Sequence, residues 1–188
     1  LMHTEPNDPN GQDLYAIAEK LDLVSNKNIL FSRDKVSSQD LAMLYNAADT
    51  CITVSDAEGF GLYTFEAMAC GTPIIATLTG GLQEQVTDID EVSHDFILKR
   101  HDEERGNIIE TDRGIGIEPS SKAIIGSQQV PYIYEDRLSD EQVVESLMKM
   151  YEYGKEKREE LGSNCRKYVL ENYSFDLYKK RWEDVIAE

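Results

Sequence analysis

The sequence is short of positive charge and of long apolar runs, and each shortage argues against a class of protein. Its 19 Lys and Arg stand against 36 Asp and Glu, for a formal net charge of −17, so no DNA, RNA or anionic lipid surface is expected to bind this chain. No apolar run approaches the roughly 18 residues that a membrane-spanning helix needs. The first residues also lack the basic, apolar and small-residue regions of a secretion signal.

Cysteine is scarce as well. The chain has three cysteines, an odd number, which lie far apart in the sequence and form no CxxC pair: Cys51, Cys70 and Cys165. This pattern predicts reduced thiols that pack as small apolar side chains, rather than a disulfide framework or a zinc site. Together with the missing secretion signal, it predicts a cytoplasmic protein without a bound metal.

What is present suffices for one globular domain. A chain of 188 residues, 40% of them hydrophobic, predicts a single unit over residues 1–188 with its own core. The acidity is uneven, because residues 1–118 hold 22 acidic and 8 basic side chains, whereas residues 119–188 hold 14 and 11. Residues 59–81 contain one acid, Glu66, and neither Lys nor Arg.

Short apolar runs alternate with helical patterns along the chain. This order predicts an α/β domain, a doubly wound parallel sheet with helices on both faces, and residues 139–188 read as C-terminal helices. Residues 87–113 are polar and weakly periodic, which predicts an insertion or long loop, either a surface excursion or a lid. The predicted strands are at 29–31, 51–54, 74–76 and 114–117, and residues 1–4 are predicted to be the end of a strand. The predicted helices are at 14–21, 38–48, 62–70, 82–86, 140–150, 155–171 and 175–187.

Two glycine elements follow two of these strands. The first is Glu58-Gly59-Phe60-Gly61, which leads into a helix, and the second is Thr79-Gly80-Gly81 before a shorter helix. Glycine lets the backbone approach a ligand closely, and the first N–H groups of a helix attract anions such as phosphate. Two adjacent elements of this kind predict one extended, phosphate-containing ligand, and carboxylates such as Glu58 and Glu66 accept hydrogen bonds from sugar hydroxyls.

The stretch from Glu58 to Pro73, followed by Ile74-Ile75-Ala76, Gly80-Gly81 and Glu84, resembles the donor-binding domain of the retaining glycosyltransferases of family 4. Weaker agreement extends over residues 11–86 and the final helices. The resemblance implies a Rossmann-like domain that forms the C-terminal half of a GT-B fold. It also implies transfer of a hexose from a nucleoside-diphosphate sugar to an acceptor hydroxyl, without a metal or another cofactor.

The resemblance further implies a role for each matching residue. Glu58, as the catalytic residue, matches the glutamate that contacts the donor sugar near its anomeric carbon, and Glu66 matches the one that binds the nucleotide ribose. Ser32 and Arg33 match positions that line the base pocket. The other matches are backbone positions: Gly59, Phe60 and Gly61 at the sugar, Leu62 and Tyr63 at the diphosphate, and Gly80 and Gly81 at the distal phosphate.

Parts of the family pattern are not found in the chain. An Arg and Lys pair that neutralises the diphosphate, the first strand and helix, and the N-terminal domain that binds a glycan, lipid or protein acceptor would all precede Leu1. We therefore expect the chain to bind donor weakly and to transfer nothing by itself. Peripheral membrane association is common in the family, and any basic docking surface for it would lie on the other half.

Alternatives remain open at this level. A nucleotide-sugar epimerase or a glycan phosphorylase has the same fold, although the phosphorylase needs a lysine for pyridoxal phosphate and residues 36–98 contain none. A non-catalytic nucleotide-sugar-binding module is a third reading. The site residues also have structural readings, with Glu58 as a helix cap, Glu66 as a glutamate favoured by the helix dipole, and Arg33 as a solvated cation.

Overall fold

The computed structural model describes residues 1–9, 11–87 and 106–187. The chain divides into two compact units, residues 1–41 and residues 42–188.

The first unit contains two strands joined through a helix. Strand β1 (Met2–His3) pairs in parallel with β2 (Phe31–Ser32), and helix α1 (Leu14–Lys20) lies between them in the chain. The Asp13 carboxylate caps α1 by accepting hydrogen bonds from two backbone N–H groups of its first turn. Ala18 is the one buried residue of α1.

Helix α2 (Ser38–Ala47) begins directly after Ser37. The Ser37 hydroxyl oxygen accepts a hydrogen bond from the Asp40 backbone N–H at 3.1 Å, and the hydroxyl donates to the Asp40 carboxylate at 2.8 Å. A local pair three residues apart therefore sets the start of this helix.

The second unit is built on a four-stranded sheet. In spatial order its strands are β3 (Cys51–Thr53), β4 (Ile74–Thr77), β6 (Gly114–Ile117) and β5 (Ile108–Glu110). Strands β3, β4 and β6 are parallel, whereas the edge strand β5 runs antiparallel to β6. All four residues of β4 and of β6 are buried, as expected of central strands in a sheet that is covered twice.

Helices cover both faces of this sheet. Successive strand residues point to opposite faces, so Ile74 and Ile75 of β4 belong to two different cores. The Ile74 side is covered by α3 (Leu62–Ala69), α4 (Leu82–Val86) and the later part of α6 (Gly154–Asn172), and the Ile75 side by α5 (Asp140–Glu152) and the first turns of α6. The doubly wound α/β arrangement predicted from the sequence is present.

The structure differs from the prediction in the region after residue 87. Residues 88–105, most of the predicted insertion, lie outside the described residues, and residues 108–110 form strand β5 where irregular chain was predicted. A hairpin of β7 (Ser121–Ile124) and β8 (Tyr134–Arg137) follows β6, so Gly114–Ile117 is not the last strand. These strands have no clear apolar pattern because they leave most of their side chains at least partly exposed.

The C-terminal tail is helical, as predicted. Ser139 and Gln142 form a complete capping box at the start of α5, and α6 is followed by α7 (Phe175–Ala187). Helix α7 has no buried residue, and Phe175, Tyr178 and Trp182 are 76%, 59% and 53% exposed. Within the described ranges, every helix is too short or too polar to cross a membrane.

The three cysteines are free thiols. Burial raises the pKa of the Cys51 thiol to about 11 and that of Cys165 to about 12. Both therefore stay protonated at neutral pH, and Cys165 is completely buried in the core between α6 and the sheet. The expectation that the cysteines pack as small apolar side chains is confirmed for Cys165 and, in half-buried positions, for Cys51 and Cys70.

The contact of α6 with the end of α3 yields a first prediction. Gly162 lies inside α6, and a Cβ added there would lie 1.9 Å from the carbonyl oxygen of Gly71. Alanine normally stabilises a helix by about 1 kcal/mol relative to glycine. At this position we expect Gly162→Ala to lower the free energy of unfolding by about 1–3 kcal/mol, because the backbones must separate.

Urea denaturation measures this change, and Ser163→Ala is the matched control. Ser163 is the next residue of the same helix and is exposed, so its substitution should change the free energy of unfolding by less than about 0.5 kcal/mol. Equal stability of Gly162→Ala and the unchanged chain would contradict the close approach of the two backbones.

Candidate functional site

The first glycine element forms the loop between β3 and α3. Gly61 is the N-cap residue of α3 with a left-handed backbone (φ 84°), and a Cβ added to it would lie 2.5 Å from Leu82 Cδ2. The left-handed backbone therefore strains any residue with a side chain at this position, and the Leu82 side chain would have to shift. Among the described residues, no side chain caps α3. The first-turn N–H groups, among them those of Leu62 and Tyr63, therefore suit a ligand or water.

The second glycine element packs directly against the first. The Gly81 N–H donates to the carbonyl oxygens of Glu58 at 3.3 Å and Gly59 at 3.2 Å. Gly80 has a φ of 48°, and a Cβ added to it would lie 1.7 Å from the Glu58 carbonyl oxygen. A side chain at position 80 would push the two loops apart. The two glycine elements can therefore lie next to each other, as predicted, because residue 80 is glycine.

A buried glutamine braces the first loop from inside. The Gln85 side chain donates through Nε2 to the carbonyl oxygens of Phe60 at 2.5 Å and Gly61 at 3.3 Å. Its Oε1 atom is buried and has no hydrogen-bond partner among the described residues. The sequence offers no signal for this contact, because Gln85 follows Gly61 by 24 residues and belongs to no motif.

The Phe60 ring anchors the same loop in an aromatic cluster. Its centroid lies 5.3 Å from that of Phe65 on α3 and 6.0 Å from that of Tyr173, the residue after α6. The ring is thus engaged in packing. The amide role that the resemblance implies for Phe60 concerns its backbone and stays a prediction.

The two glutamates of the motif have different surroundings. Glu58 is half-buried in the loop, whereas Glu66 is exposed on α3 and accepts a hydrogen bond from the Tyr45 hydroxyl at 3.2 Å. Burial and the neighbouring Glu66 carboxylate raise the pKa of Tyr45, so the phenol is neutral and acts as the donor. Tyr45 is itself fixed, because its carbonyl oxygen accepts a hydrogen bond from Thr72 Oγ1 at 2.8 Å.

The loop before Glu58 is tied to the β7–β8 hairpin. Arg137 Nη1 lies 2.6 Å from Asp56 Oδ2, and the Asp136 N–H donates to the Asp56 carbonyl oxygen at 2.7 Å. The second amino group of Arg137 donates to Glu135. Arg137 thus contacts the acidic loop although it lies 81 residues from Asp56 in sequence, and no local sequence pattern predicts this contact.

The residues predicted for the base pocket lie in the first unit. Ser32 Oγ is 2.9 Å from His3 Nδ1, and Arg33 Nη2 donates to the Glu5 carboxylate at 3.3 Å. This hydrogen bond and the charge of Glu5 raise the pKa of Arg33. Arg33 is thus a paired cation at the surface, with its side chain 54% exposed.

The second unit contains both backbone hydrogen-bond donors and carboxylate acceptors. The free N–H groups at the start of α3 suit an anion, and the carboxylates of Glu58 and Glu66 suit hydroxyl groups. In the part of the chain that the structure describes, no three His, Cys, Asp or Glu side chains are grouped so as to hold a metal ion.

Two solved structures share the fold. The chain is similar to sucrose-phosphate synthase from Thermosynechococcus elongatus, with a TM-score of 0.60 and 20% identity over 96% of the chain and 37% of the synthase. It is also similar to the C-terminal domain of a group 1 family glycosyl transferase from Francisella tularensis, with a TM-score of 0.50 and 21% identity over 87% of the chain and 62% of that domain. These likenesses confirm the predicted C-terminal half of a GT-B fold.

Curated relatives match a shorter part of the chain. It is 47% identical over 66 residues to a D-inositol 3-phosphate glycosyltransferase of Saccharomonospora viridis, and 40% identical over 76 residues to the enzyme of that name from a Mycobacterium species. The matches cover 35% and 40% of the chain, and the chain spans 15% and 17% of the length of these relatives.

The family model of the glycosyl transferases of group 1 matches residues 9–105, more than half of the 188 residues. The match includes both glycine elements and both glutamates. The chain therefore belongs to the group 1 glycosyltransferases.

Proposed function

We propose that this chain is the donor-binding domain of a retaining glycosyltransferase that moves a hexose from a nucleoside-diphosphate sugar to an acceptor hydroxyl. The observation that supports it is the hydrogen bonding of Gly81 to Glu58 and Gly59, which joins two strand–loop–helix turns. Their joined backbones suit a diphosphate, and the nearby carboxylates suit the hydroxyls of a sugar and a ribose. The relatives are named glycosyltransferases, which favours transfer over epimerisation.

In the proposed complex each matched residue has one task. Glu58 orients the donor sugar together with the backbone of Gly59, Phe60 and Gly61, and Glu66 accepts hydrogen bonds from the ribose. The N–H groups of Leu62 and Tyr63 bind the diphosphate, and the backbone of Gly80 and Gly81 borders its distal phosphate. Ser32 and Arg33 line the base pocket, where Arg33 acts as a cation already balanced by Glu5.

The proposed reaction breaks the bond between the anomeric carbon and the diphosphate oxygen. The acceptor oxygen bonds to the same carbon, its proton passes to the departing diphosphate oxygen, and the nucleoside diphosphate leaves with the bonding electrons. Negative charge therefore grows on the diphosphate, where the N-terminal dipole of α3 stabilises it. Three properties stay predictions of the resemblance: retention of configuration, independence from metal and an acceptor site on another domain. A cytoplasmic location stays a prediction of the sequence pattern.

The proposal is tested by calorimetric titration of the chain with UDP, GDP and ADP. We expect weak, saturable binding of one of them in preference to the other two, because the base pocket selects among bases while the diphosphate site is shared. Absence of heat with all three would contradict a donor-binding domain.

The two glutamates should affect different parts of the donor. We expect Glu66→Gln to weaken binding of the preferred nucleoside diphosphate about 5- to 20-fold, because a charged acceptor of ribose hydrogen bonds is lost. Glu58→Gln should bind the nucleoside diphosphate at least as tightly as the unchanged chain, because a negative charge beside the diphosphate is removed, and should weaken only the nucleotide sugar, since its proposed partner is the hexose.

Glu145→Gln is the matched control for these titrations. Glu145 is an exposed carboxylate on α5, remote in sequence from the motif, and its substitution should change neither affinity. Equal effects of Glu58→Gln and Glu66→Gln on the nucleoside diphosphate would contradict the separate roles.

The hydrogen bond from Tyr45 to Glu66 gives a further prediction. We expect Tyr45→Phe to weaken binding of the nucleoside diphosphate about 2- to 10-fold, because the Glu66 carboxylate loses the donor that orients it. Titration with the analogue that lacks both ribose hydroxyls should show no such loss. Tyr151→Phe is the control, because the Tyr151 side chain is 75% exposed. Tighter binding by Tyr45→Phe would mean that the phenol competes with the ribose instead.

A further inference from the structure

The loop that leads into the candidate site carries more negative charge than the proposed function uses. Asp56 and Glu58 are two residues apart, and residues 59–81 contain no Lys or Arg. Glu58 has a task in donor binding, whereas Asp56 has none. A free carboxylate at Asp56 would repel a diphosphate bound at the following residues, because like charges a few ångströms apart oppose each other strongly near a protein surface.

Arg137 neutralises this carboxylate. Its Nη1 atom lies 2.6 Å from Asp56 Oδ2, and both side chains are 43% exposed. An ion pair at such exposure contributes little to the free energy of unfolding, so folding stability does not explain why this pair is present. Its effect on the local charge is larger, because the guanidinium, which Glu135 shares, offsets the Asp56 carboxylate and holds it on the hairpin.

Backbone hydrogen bonds of the hairpin fix the position of Arg137. The Asp136 N–H donates to the Asp56 carbonyl oxygen at 2.7 Å, which ties β8 to the loop by its backbone. The Arg137 carbonyl oxygen accepts hydrogen bonds from the Ser120 N–H at 2.9 Å and the Ser120 hydroxyl at 3.1 Å. The guanidinium is therefore attached to a backbone that is held on both sides, and replacing its side chain leaves these backbone bonds in place.

Other charges of the hairpin face each other instead of the loop. Lys122 of β7 pairs with the Asp136 carboxylate at 3.3 Å, and Glu135 accepts a hydrogen bond from the second amino group of Arg137. Arg137 is thus shared between Glu135 and Asp56. This pairing leaves Lys122 as a cation of the same hairpin whose ion pair does not involve Asp56.

We propose that Arg137 is a positioning residue of the donor site, which neutralises Asp56 and holds its carboxylate on the β7–β8 hairpin so that a diphosphate can bind beside Glu58. This inference rests on the proposed function, since it assigns Arg137 to the same anion site. It adds a cation to that site which lies 81 residues from the motif loop in sequence.

The test is a double-mutant cycle read by nucleotide affinity. The preferred nucleoside diphosphate and the matching nucleoside without phosphates are titrated into the chain, Arg137→Gln, Asp56→Asn and the double variant. We expect Arg137→Gln to weaken nucleoside-diphosphate binding about three- to tenfold by exposing the Asp56 charge. Binding of the uncharged nucleoside should not change, and Asp56→Asn should bind the diphosphate at least as tightly as the unchanged chain.

The double variant carries the decisive result. If Arg137 acts by neutralising Asp56, removal of both charges restores the affinity to within about twofold of the unchanged chain. The loss in Arg137→Gln should also be larger at about 20 mM than at about 200 mM salt, since salt screens the exposed carboxylate. A structural role of Arg137 would produce neither the restoration nor the salt dependence.

Two further variants separate charge from folding. Arg137→Lys keeps the positive charge and should retain most of the affinity. Lys122→Gln removes an ion pair of the same hairpin without touching Asp56, and should bind as the unchanged chain does. Thermal unfolding of every variant shows that each remains folded at the temperature of the titration.

The failures of the two proposals are distinguishable. Absence of nucleotide binding by the unchanged chain would overturn the proposed function and this inference with it. Two results would overturn this inference and leave the proposed function standing. One is an affinity for the nucleoside diphosphate that Arg137→Gln does not change at low salt, and the other is a double variant that binds it as weakly as Arg137→Gln does.

Discussion

The hydrogen bonds from the Gly81 N–H to the carbonyl oxygens of Glu58 and Gly59 are the contact on which the candidate site depends. They hold together two turns that follow neighbouring parallel strands, β3 and β4, at the edge of the sheet where ligands of such folds bind. The contact is possible because Gly80 has no side chain: a Cβ there would lie 1.7 Å from the Glu58 carbonyl oxygen. Gln85, on the helix that follows the second turn, reaches back to Phe60 and completes the bracing.

The site also has to solve an electrostatic problem. A chain with a net charge of −17 is proposed to bind an anion at a stretch without Lys or Arg. Backbone N–H groups at an uncapped helix start provide partial positive charge without a cationic side chain. Where a full cation is present, at Arg137, it comes from a distant hairpin and is already paired with Asp56. The N–H dipoles at the start of α3 and the Arg137–Asp56 ion pair thus take the place of a patch of basic side chains.

Much of the fold could be predicted because its signals are local. Asp13 and Ser139 mark helix starts through hydrogen bonds to residues two or three positions away, and short apolar runs mark the buried strands. Strand β5 and the β7–β8 hairpin escaped prediction because they are held by pairing with another strand and leave most of their side chains at least partly exposed. For such strands the deciding interaction is non-local, and the residues carry no period that announces it.

By itself, the sequence determined the order of the helices and of strands β2, β3, β4 and β6, the two glycine turns after β3 and β4, and the two glutamates of the motif. Only the tertiary structure decided which side chains surround them. Tyr45 meets Glu66 across 21 residues, Gln85 meets Gly61 across 24, and Arg137 meets Asp56 across 81. The physical reason is distance along the chain: caps and turns form between residues a few positions apart, whereas these contacts exist only once sheet pairing and helix packing have brought separate segments together.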